Sequence, residues 1–494
     1  MSTAYDTVIR DAQIYDGTGA PPVTGDVAIS EGRVAAVGAV DGTGRTTIDA
    51  RGMAVAPGFI DVHTHDDFAA IVHPDMGFKL CGGVTSCVVG NCGMGVAPHA
   101  AAMAMAQVLH PRITLPEWKG TAGYLAHLGR HPPGVNIGVL VGHGTARLAA
   151  MGPAARAPGD REMTHMKATL QEGLDAGALG LSSGLVYDPG RHSTTDELVE
   201  LASIMRGTGA LYATHMRDES DGLLGSVGEA IEIGERAGVP VQISHHKASG
   251  RSAWGLVHQS LQLIERAQAR GLDVHADQYP YTAGSTVLQA VFRDGRFGGG
   301  IGPMRPEDIV IASTAAHPQW EGRNMVELAA LMACEPESAA ARILAEDSAV
   351  TVILHMMREK DVRTVMRHPS TMIGSDGIPT LEGKPHPRLY GTFARVLGKY
   401  SREEGLFPLA EAIYKMTGFA AAKFGLAGRG ELKTGAHADI VMFDPQRVID
   451  CGTFEDPHRP PAGIEAVFVN GVLAMRGGKL TGARSGIGMR RSAA

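Results

Sequence analysis

The sequence predicts an α/β protein: a closed (β/α)8 barrel with an inserted lid, beside a small β-sandwich domain formed by both termini. Three observations lead there. The middle of the chain alternates eight apolar, strand-like runs with helical patterns, as a βα repeat does. Both ends are rich in short strands and turns instead. The length of 494 residues suits a barrel of about 250 residues or more with additions. An open doubly wound sheet is the competing topology.

The elements follow in order. Residues 1–56 read as the first part of the β domain, with a hairpin over Asp26–Gly38 turning at Glu31-Gly32. The barrel occupies 57–434. Its candidate strands are Gly58–His65, Val84–Gly93, Asn136–Gly144, Ala178–Leu185, Ala210–Met216, Pro240–His246, Asp273–Tyr281 and Thr371–Gly377. Helical patterns such as Thr194–Thr208 and Ser226–Ala237 lie between them. The long gap between residues 281 and 371 contains the glycine-rich run Arg293–Gly302 and a helical stretch, Asn324–Met332. A connection of this length carries structure or function, so about 283–345 is read as an inserted lid, with Val350–His355 as an extra strand. Residues 435–494 return to the β domain through Ala438–Asp444 and Ile464–Ala474, the latter turning at Asn470-Gly471.

Composition sets limits on function. The chain carries 45 Lys+Arg against 52 Asp+Glu, a net charge of −7, with 44% apolar and 20% charged residues, which excludes wholesale disorder. An acidic chain with few aromatics and no basic stripe has no generic attraction to nucleic acid or anionic membranes. No apolar run approaches 18 residues, so no membrane span is expected. The start, Met1-Ser2-Thr3-Ala4-Tyr5-Asp6, lacks the pattern of a signal peptide. Five cysteines (81, 87, 92, 334 and 451) are too few and odd in number for a disulfide framework, which suggests the reducing cytoplasm. The partner implied is a small-molecule substrate; oligomeric state is not legible.

Chemistry collects where the candidate strands end. The first ends in His63-Thr64-His65, the second in Asn91-Cys92-Gly93, the fifth in Thr214-His215, the sixth in Ser244-His245-His246 and the eighth in Ser375-Asp376-Gly377. Imidazole, thiolate and carboxylate are all zinc ligand types, and C-terminal strand ends of a barrel converge on one mouth. Alternation along a strand would turn both His63 and His65 inward. One H-x-H is weak by itself, but five converging strand ends make a metal site. His246, His143, His275 and His355 read as structural histidines, and Cys81, Cys87, Cys334 and Cys451 as small core residues. Gly180-Leu181-Ser182-Ser183-Gly184 matches a nucleophile elbow, but a serine enzyme would leave the other strand-end ligands unexplained. Asp439, in the β-domain return, is not a ligand candidate. Lys247 and Arg388 follow two of the ligand-bearing ends closely and could bind a substrate carboxylate, Arg388 as a bidentate fork.

The chain resembles the amidohydrolase superfamily, and within it the N-acyl-D-amino-acid deacylases. General superfamily features are Ala56–His65 and Gly430–Asp444. Features of the deacylase branch are Val89–Gly93, Leu181–Tyr187, Thr214–Arg217, Ile243–Lys247, Asp277–Ser285, Ile373–Gly377 and His386–Gly391. Many superfamily members have a carboxylated lysine after the fourth strand; here Ser182-Ser183 stand there, and Cys92 fills the role. The resemblance implies one tightly bound zinc on Cys92, His215 and His245, the last chosen over His246 by the motif. It implies a weaker second zinc on His63 and His65, with Cys92 able to bridge. Asp376 would be the general base, and Lys247, Arg388, Tyr187, Tyr279 and Ser285 would line the substrate site. Tyr279 and Tyr281 are not separable, since on a strand both face one side. Zinc lowers the pKa of bound water to about 7, and a carboxylate can carry its proton to the leaving amine. The implied activity is zinc-dependent hydrolysis of N-acyl-D-amino acids. Hydantoinase- or dihydroorotase-like hydrolysis of cyclic amides, or a non-catalytic binding protein on the same scaffold, are the alternatives.

Overall fold

The computed structural model describes residues 4–109, 113–298 and 301–491. Eight parallel strands form the central sheet: Phe59–Asp61, Val84–Val89, Asn136–Gly142, Gly180–Gly184, Leu211–His215, Val241–Ile243, Val274–Gln278 and Thr371–Ile373. They follow one another in chain order. A parallel bridge between Thr64 and Gly377 joins the first strand's end to the eighth's and closes the barrel at its C-terminal mouth. Ile60, Val62, Val88, Leu140, Leu179, Leu211, Ala213 and Met372, in or beside the first to fifth and the eighth strands, pack together with Phe419, Phe424 and Met489. A second cluster joins Leu181, Tyr212 and Ile243 to the helices through Leu198, Leu201, Val227 and Ile264.

Each expected strand is present but shorter, and three of them are only three residues long. The chain leaves the sheet before it reaches most of the chemical residues. The Thr194–Thr208 pattern is a helix over Thr195–Ala202, capped by the Thr194 side chain accepting from the Glu197 amide, then a 3-10 turn. The expected Ser226–Ala237 helix runs Leu223–Ala237.

Both ends of the chain share a nine-stranded sheet. Its strand Ala4–Ile14 forks, pairing with Thr43–Asp49 along its first part and with Ala54–Pro57 at its end. The branched sheet encloses Ile9, Ile14, Val27, Ile48, Val55, Ile440, Met442 and Phe468. Glu31-Gly32 and Asn470-Gly471 all have positive φ (51°, 75°, 48° and 80°), as tight hairpin turns of this kind require. Asp439 tethers this sheet to the barrel, meeting Arg429 and accepting from the Asn136 side chain and the Asn470 amide.

Between the seventh and eighth barrel strands the insertion builds its own antiparallel sheet, in which Ala283–Val287 and Ile309–Ser313 flank Thr351–His355. The insertion therefore reaches about ten residues beyond position 345, because its central strand is the last to be made. Met325–Leu331, capped reciprocally by Asn324 and Glu327, and Pro336–Glu346 are its longer helices. The glycine-rich run includes residues 299 and 300, which lie outside the described residues, as do Met1-Ser2-Thr3. Among the described residues no helix is long and apolar enough to cross a membrane.

Candidate metal centre and active site

Cys92 stands at the centre of the barrel mouth. Its Sγ lies 3.4 Å from His63 Nε2, 3.7 Å from His215 Nδ1 and 3.6 Å from His245 Nε2. All four residues are buried. Three overlapping donor groups result: His63, His65 and Cys92; Cys92, His215 and His245; and His63, His245 and Asp376. Metal–sulfur and metal–nitrogen bonds of about 2.3 and 2.0–2.1 Å at a tetrahedral angle put sulfur and nitrogen about 3.6 Å apart. The Cys92–His215–His245 spacing fits that edge.

The local backbone brings these groups together under strain. Cys92, His245 and Asp376 have φ of 54°, 35° and 51°, a region non-glycine residues seldom occupy. Gly90 precedes Cys92 with φ 83°, and a Cβ there would come within 2.1 Å of the Leu140 carbonyl oxygen. His63 and His65 arrive by a different route from the alternation expected of a strand. The first strand stops at Asp61, and the chain then bends so that the Asp376 amide donates to the His63 carbonyl (2.7 Å) and the His65 amide to that of Gly377 (2.9 Å).

Carboxylates face the outer ring nitrogens. His63 Nδ1 lies 3.3 Å from Asp277, and His245 Nδ1 lies 3.0 Å from Glu219. Such partners orient ligating imidazoles and fix their tautomers. Asp277 also accepts from the His245 amide (2.8 Å) and the Gln242 side chain (2.8 Å). Sequence reasoning missed both acids, though each left a signal: Glu219 lies four residues after His215, and Asp277 lies next to the end of the seventh strand. Asp61 and Lys79 were missed as well. Asp61 accepts from the Ser375 amide (2.8 Å), the Ser375 hydroxyl (2.5 Å) and Lys79 Nζ (2.6 Å), which ties the first strand to the eighth beneath the site.

Burial alone would raise the Cys92 thiol, but the charge of His63 and hydrogen bonds from His215, His245 and His63 hold it well below its usual range. That direction favours the thiolate, the form in which cysteine binds a metal. Burial likewise opposes ionisation of Asp376, yet Arg388 and His245 outweigh it and keep that carboxyl well below normal. Asp376 Oδ1 lies 3.2 Å from His65 Nε2 and 3.5 Å from His63 Nε2, and its Oδ2 lies 2.9 Å from Arg388 Nη1. Arg388 stacks 4.5 Å from the Tyr279 ring centroid, donates to the Ser285 carbonyl (3.2 Å), and leaves its Nε without a hydrogen-bond partner.

A cavity of about 300 Å³ is lined by His65, His215, His245 and Asp376 together with Tyr187, Lys247, Tyr279 and Ser285, with Arg388 buried behind Asp376 and outside the lining. Met94, Met105, Leu148 and Met356 add an apolar surface. Tyr187 bonds to the Thr286 hydroxyl (3.1 Å) and packs edge-on to His215 at 4.9 Å. Lys247 is engaged by Glu219 (2.7 Å) and lies 2.8 Å from His245 Nδ1. The two tyrosines part company because the seventh strand ends at Gln278. Tyr279 enters the cavity, whereas Tyr281 turns toward Asp450 and Arg395.

The remaining candidates fall elsewhere. His246 bonds to the Ser260 hydroxyl (2.8 Å), and His143 faces Glu197 (2.9 Å). Ser182 is fully buried, donating to the Gly90 carbonyl, and Ser183 meets Tyr212 and Thr214 hydroxyls. Among the described residues neither serine has a histidine partner, which does not fit a nucleophile elbow. Of the other cysteines Cys87 is buried, whereas Cys81, Cys334 and Cys451 are half-buried rather than core residues.

Barrel, mouth and donor set together define a metal-dependent hydrolase scaffold. Residues 46–475 match the amidohydrolase family. The chain belongs to that family and, within it, to the N-acyl-D-amino-acid deacylases. It is 40% identical to a D-aminoacylase of Alcaligenes xylosoxydans xylosoxydans, covering all of this chain and 99% of the relative. A solved D-aminoacylase structure superposes with a TM-score of 0.88 at 39% identity, covering 99% of this chain and 100% of the other. The N-acyl-D-glutamate deacylase of Bordetella bronchiseptica, solved with zinc and a phosphonate mimic of the tetrahedral intermediate, gives a TM-score of 0.89 at 37% identity, with 99% and 100% coverage.

Proposed function

We propose that this chain hydrolyses the amide bond of N-acyl-D-amino acids, releasing a carboxylic acid and a free D-amino acid. The observation that carries the reading is the convergence of Cys92, His215 and His245 with an ionised Asp376 over one cavity. Cys92, His215 and His245 would hold one zinc tightly, and His63 and His65, with Cys92 bridging, a second more weakly. Bound zinc would polarise the scissile carbonyl and acidify water. Asp376, ionised at neutral pH, takes a proton from the attacking water and returns it to the leaving nitrogen. Burial and the charge of Cys92 push the Tyr187 phenol well above its usual range, so it stays a donor to the carbonyl oxygen. Arg388, with Tyr279 and Ser285 beside it, anchors the α-carboxylate. Lys247, already paired with Glu219, contributes charge at the cavity edge. The D-preference rests on membership of the deacylase branch. Five free cysteines support a reducing, cytoplasmic setting, and the cavity suits a small-molecule substrate.

The test is a panel of N-acetyl-D- and L-amino acids with acidic, apolar and aromatic side chains, run beside hydantoin and dihydroorotate, with zinc measured on the same preparation. Turnover confined to N-acyl-D-amino acids is expected. Turnover of the cyclic amides alone would overturn the reading, and so would zinc-loaded protein inert on every compound.

A further inference from the structure

His386 belongs to none of the catalytic groups, yet both of its ring nitrogens are committed. Nε2 lies 2.9 Å from the carbonyl oxygen of Ala283, and Nδ1 lies 3.0 Å from the backbone nitrogen of Arg388. A carbonyl only accepts and a backbone N–H only donates. The ring must therefore be neutral with its proton on Nε2, since no other form satisfies both neighbours. Burial, with the charge of Arg388 adding to it, keeps His386 well below the usual histidine range, which favours that form. Its ring packs edge-on to Tyr279, Tyr281 and Phe454 at 6.3, 5.1 and 5.1 Å, so it cannot swing away.

The two partners belong to different bodies. Ala283 begins the inserted sheet, pairing with His355, and Arg388 begins the helix Arg388–Arg395. The same sheet strand meets Arg388 a second time through the Ser285 carbonyl. We propose that His386 is a positioning residue that couples the inserted sheet to the Arg388 guanidinium, so that placing the lid and reading the substrate carboxylate are one event. This rests on the reading of Arg388 as the carboxylate anchor.

Three variants of the zinc-loaded enzyme separate the two bonds. His386→Asn keeps an acceptor near the Nδ1 position and loses the link to Ala283. His386→Gln keeps a donor near Nε2 and loses the bond to Arg388. His386→Phe loses both and keeps the ring. Each is assayed on an N-acetyl-D-amino acid and on its carboxamide, which lacks the carboxylate, and the readout is the ratio of kcat/KM values, which does not depend on the folded fraction. Loss of one bond should lower the acid-to-amide ratio roughly 3- to 10-fold, mainly through KM for the acid, and Phe should fall below Asn and Gln. Hydrogen exchange across Ala283–Val287 should quicken in Asn and Phe but not in Gln. A parental ratio in Asn and Gln, or equal losses on acid and amide, would overturn the proposal. Arg388→Ala distinguishes the two failures. If it leaves the ratio unchanged, the carboxylate reading itself fails; if it lowers the ratio while the His386 variants do not, only the role of His386 fails.

Discussion

At the scale of single residues, Cys92 and Asp376 do different work, and substitution should separate them. Cys92 contributes to two of the three donor groups. Cys92→Ala should lose tightly bound zinc and most turnover while the barrel stays folded; near-normal activity with unchanged zinc content would remove it from the site. Asp376→Asn keeps the size but cannot accept the proton. Its kcat should fall by at least about 10²-fold, with zinc largely retained, and a loss of only a few-fold would place the base elsewhere. The donors were legible because ligand types recur at strand ends. Their carboxylate partners were harder to read, because Glu219 and Asp277 gain their meaning from contacts 26 and 214 residues away (245 − 219 and 277 − 63). Tyr279 and Tyr281 were inseparable for another reason: alternation holds only inside a strand, and the strand ends before either is reached.

At the scale of elements, the eightfold βα alternation was legible, and the points at which strands stop were not. Strands stop early because Cys92, His245 and Asp376 need left-handed backbone, which extended pairing excludes, so the chemistry sits just beyond the sheet. The first and eighth strands are short, and side chains hold them together where backbone bonds run out. Lys79 lies 2.6 Å from Asp61 and 3.2 Å from Asp66, all three fully buried. Burial raises the Asp66 carboxyl against the charge of Lys79, and Asp61 is the nearer of the two acids that Lys79 meets. Lys79→Met should therefore leave one buried carboxylate uncompensated and destabilise the fold by about 3–5 kcal/mol. The double variant Lys79→Met/Asp61→Asn should recover part of that loss, because the Lys79–Asp61 charges are removed together. Denaturant unfolding of both measures it. A double variant no more stable than the single one would show that packing around Lys79, not charge balance, holds the seam.

At the scale of the whole molecule, the donor set joins strands that are far apart in the chain. Cys92 meets His215 and His245 across 123 and 153 residues, and the bridge at the same mouth closes the first strand on the eighth. A metal held there would link the barrel across its opening and offset the strain at Cys92 and His245, its two left-handed donors. It binds the folded state and not the unfolded chain, so it stabilises by RT ln(1 + [L]/Kd), about 2.7 kcal/mol at a hundredfold excess over Kd. Unfolding entropy is about 2.1 cal/mol/K per residue, which for 494 residues converts this to roughly 3 °C in Tm if the chain unfolds as one unit. Chelation should lower the Tm by that order and zinc should restore it. Cys92→Ala should melt close to the chelated parent and gain little from added zinc, because the group common to the first and second donor sets is gone. A chelator that leaves the parent's Tm unchanged while abolishing turnover would mean that the metal serves chemistry alone, and that the barrel mouth carries its strain without help.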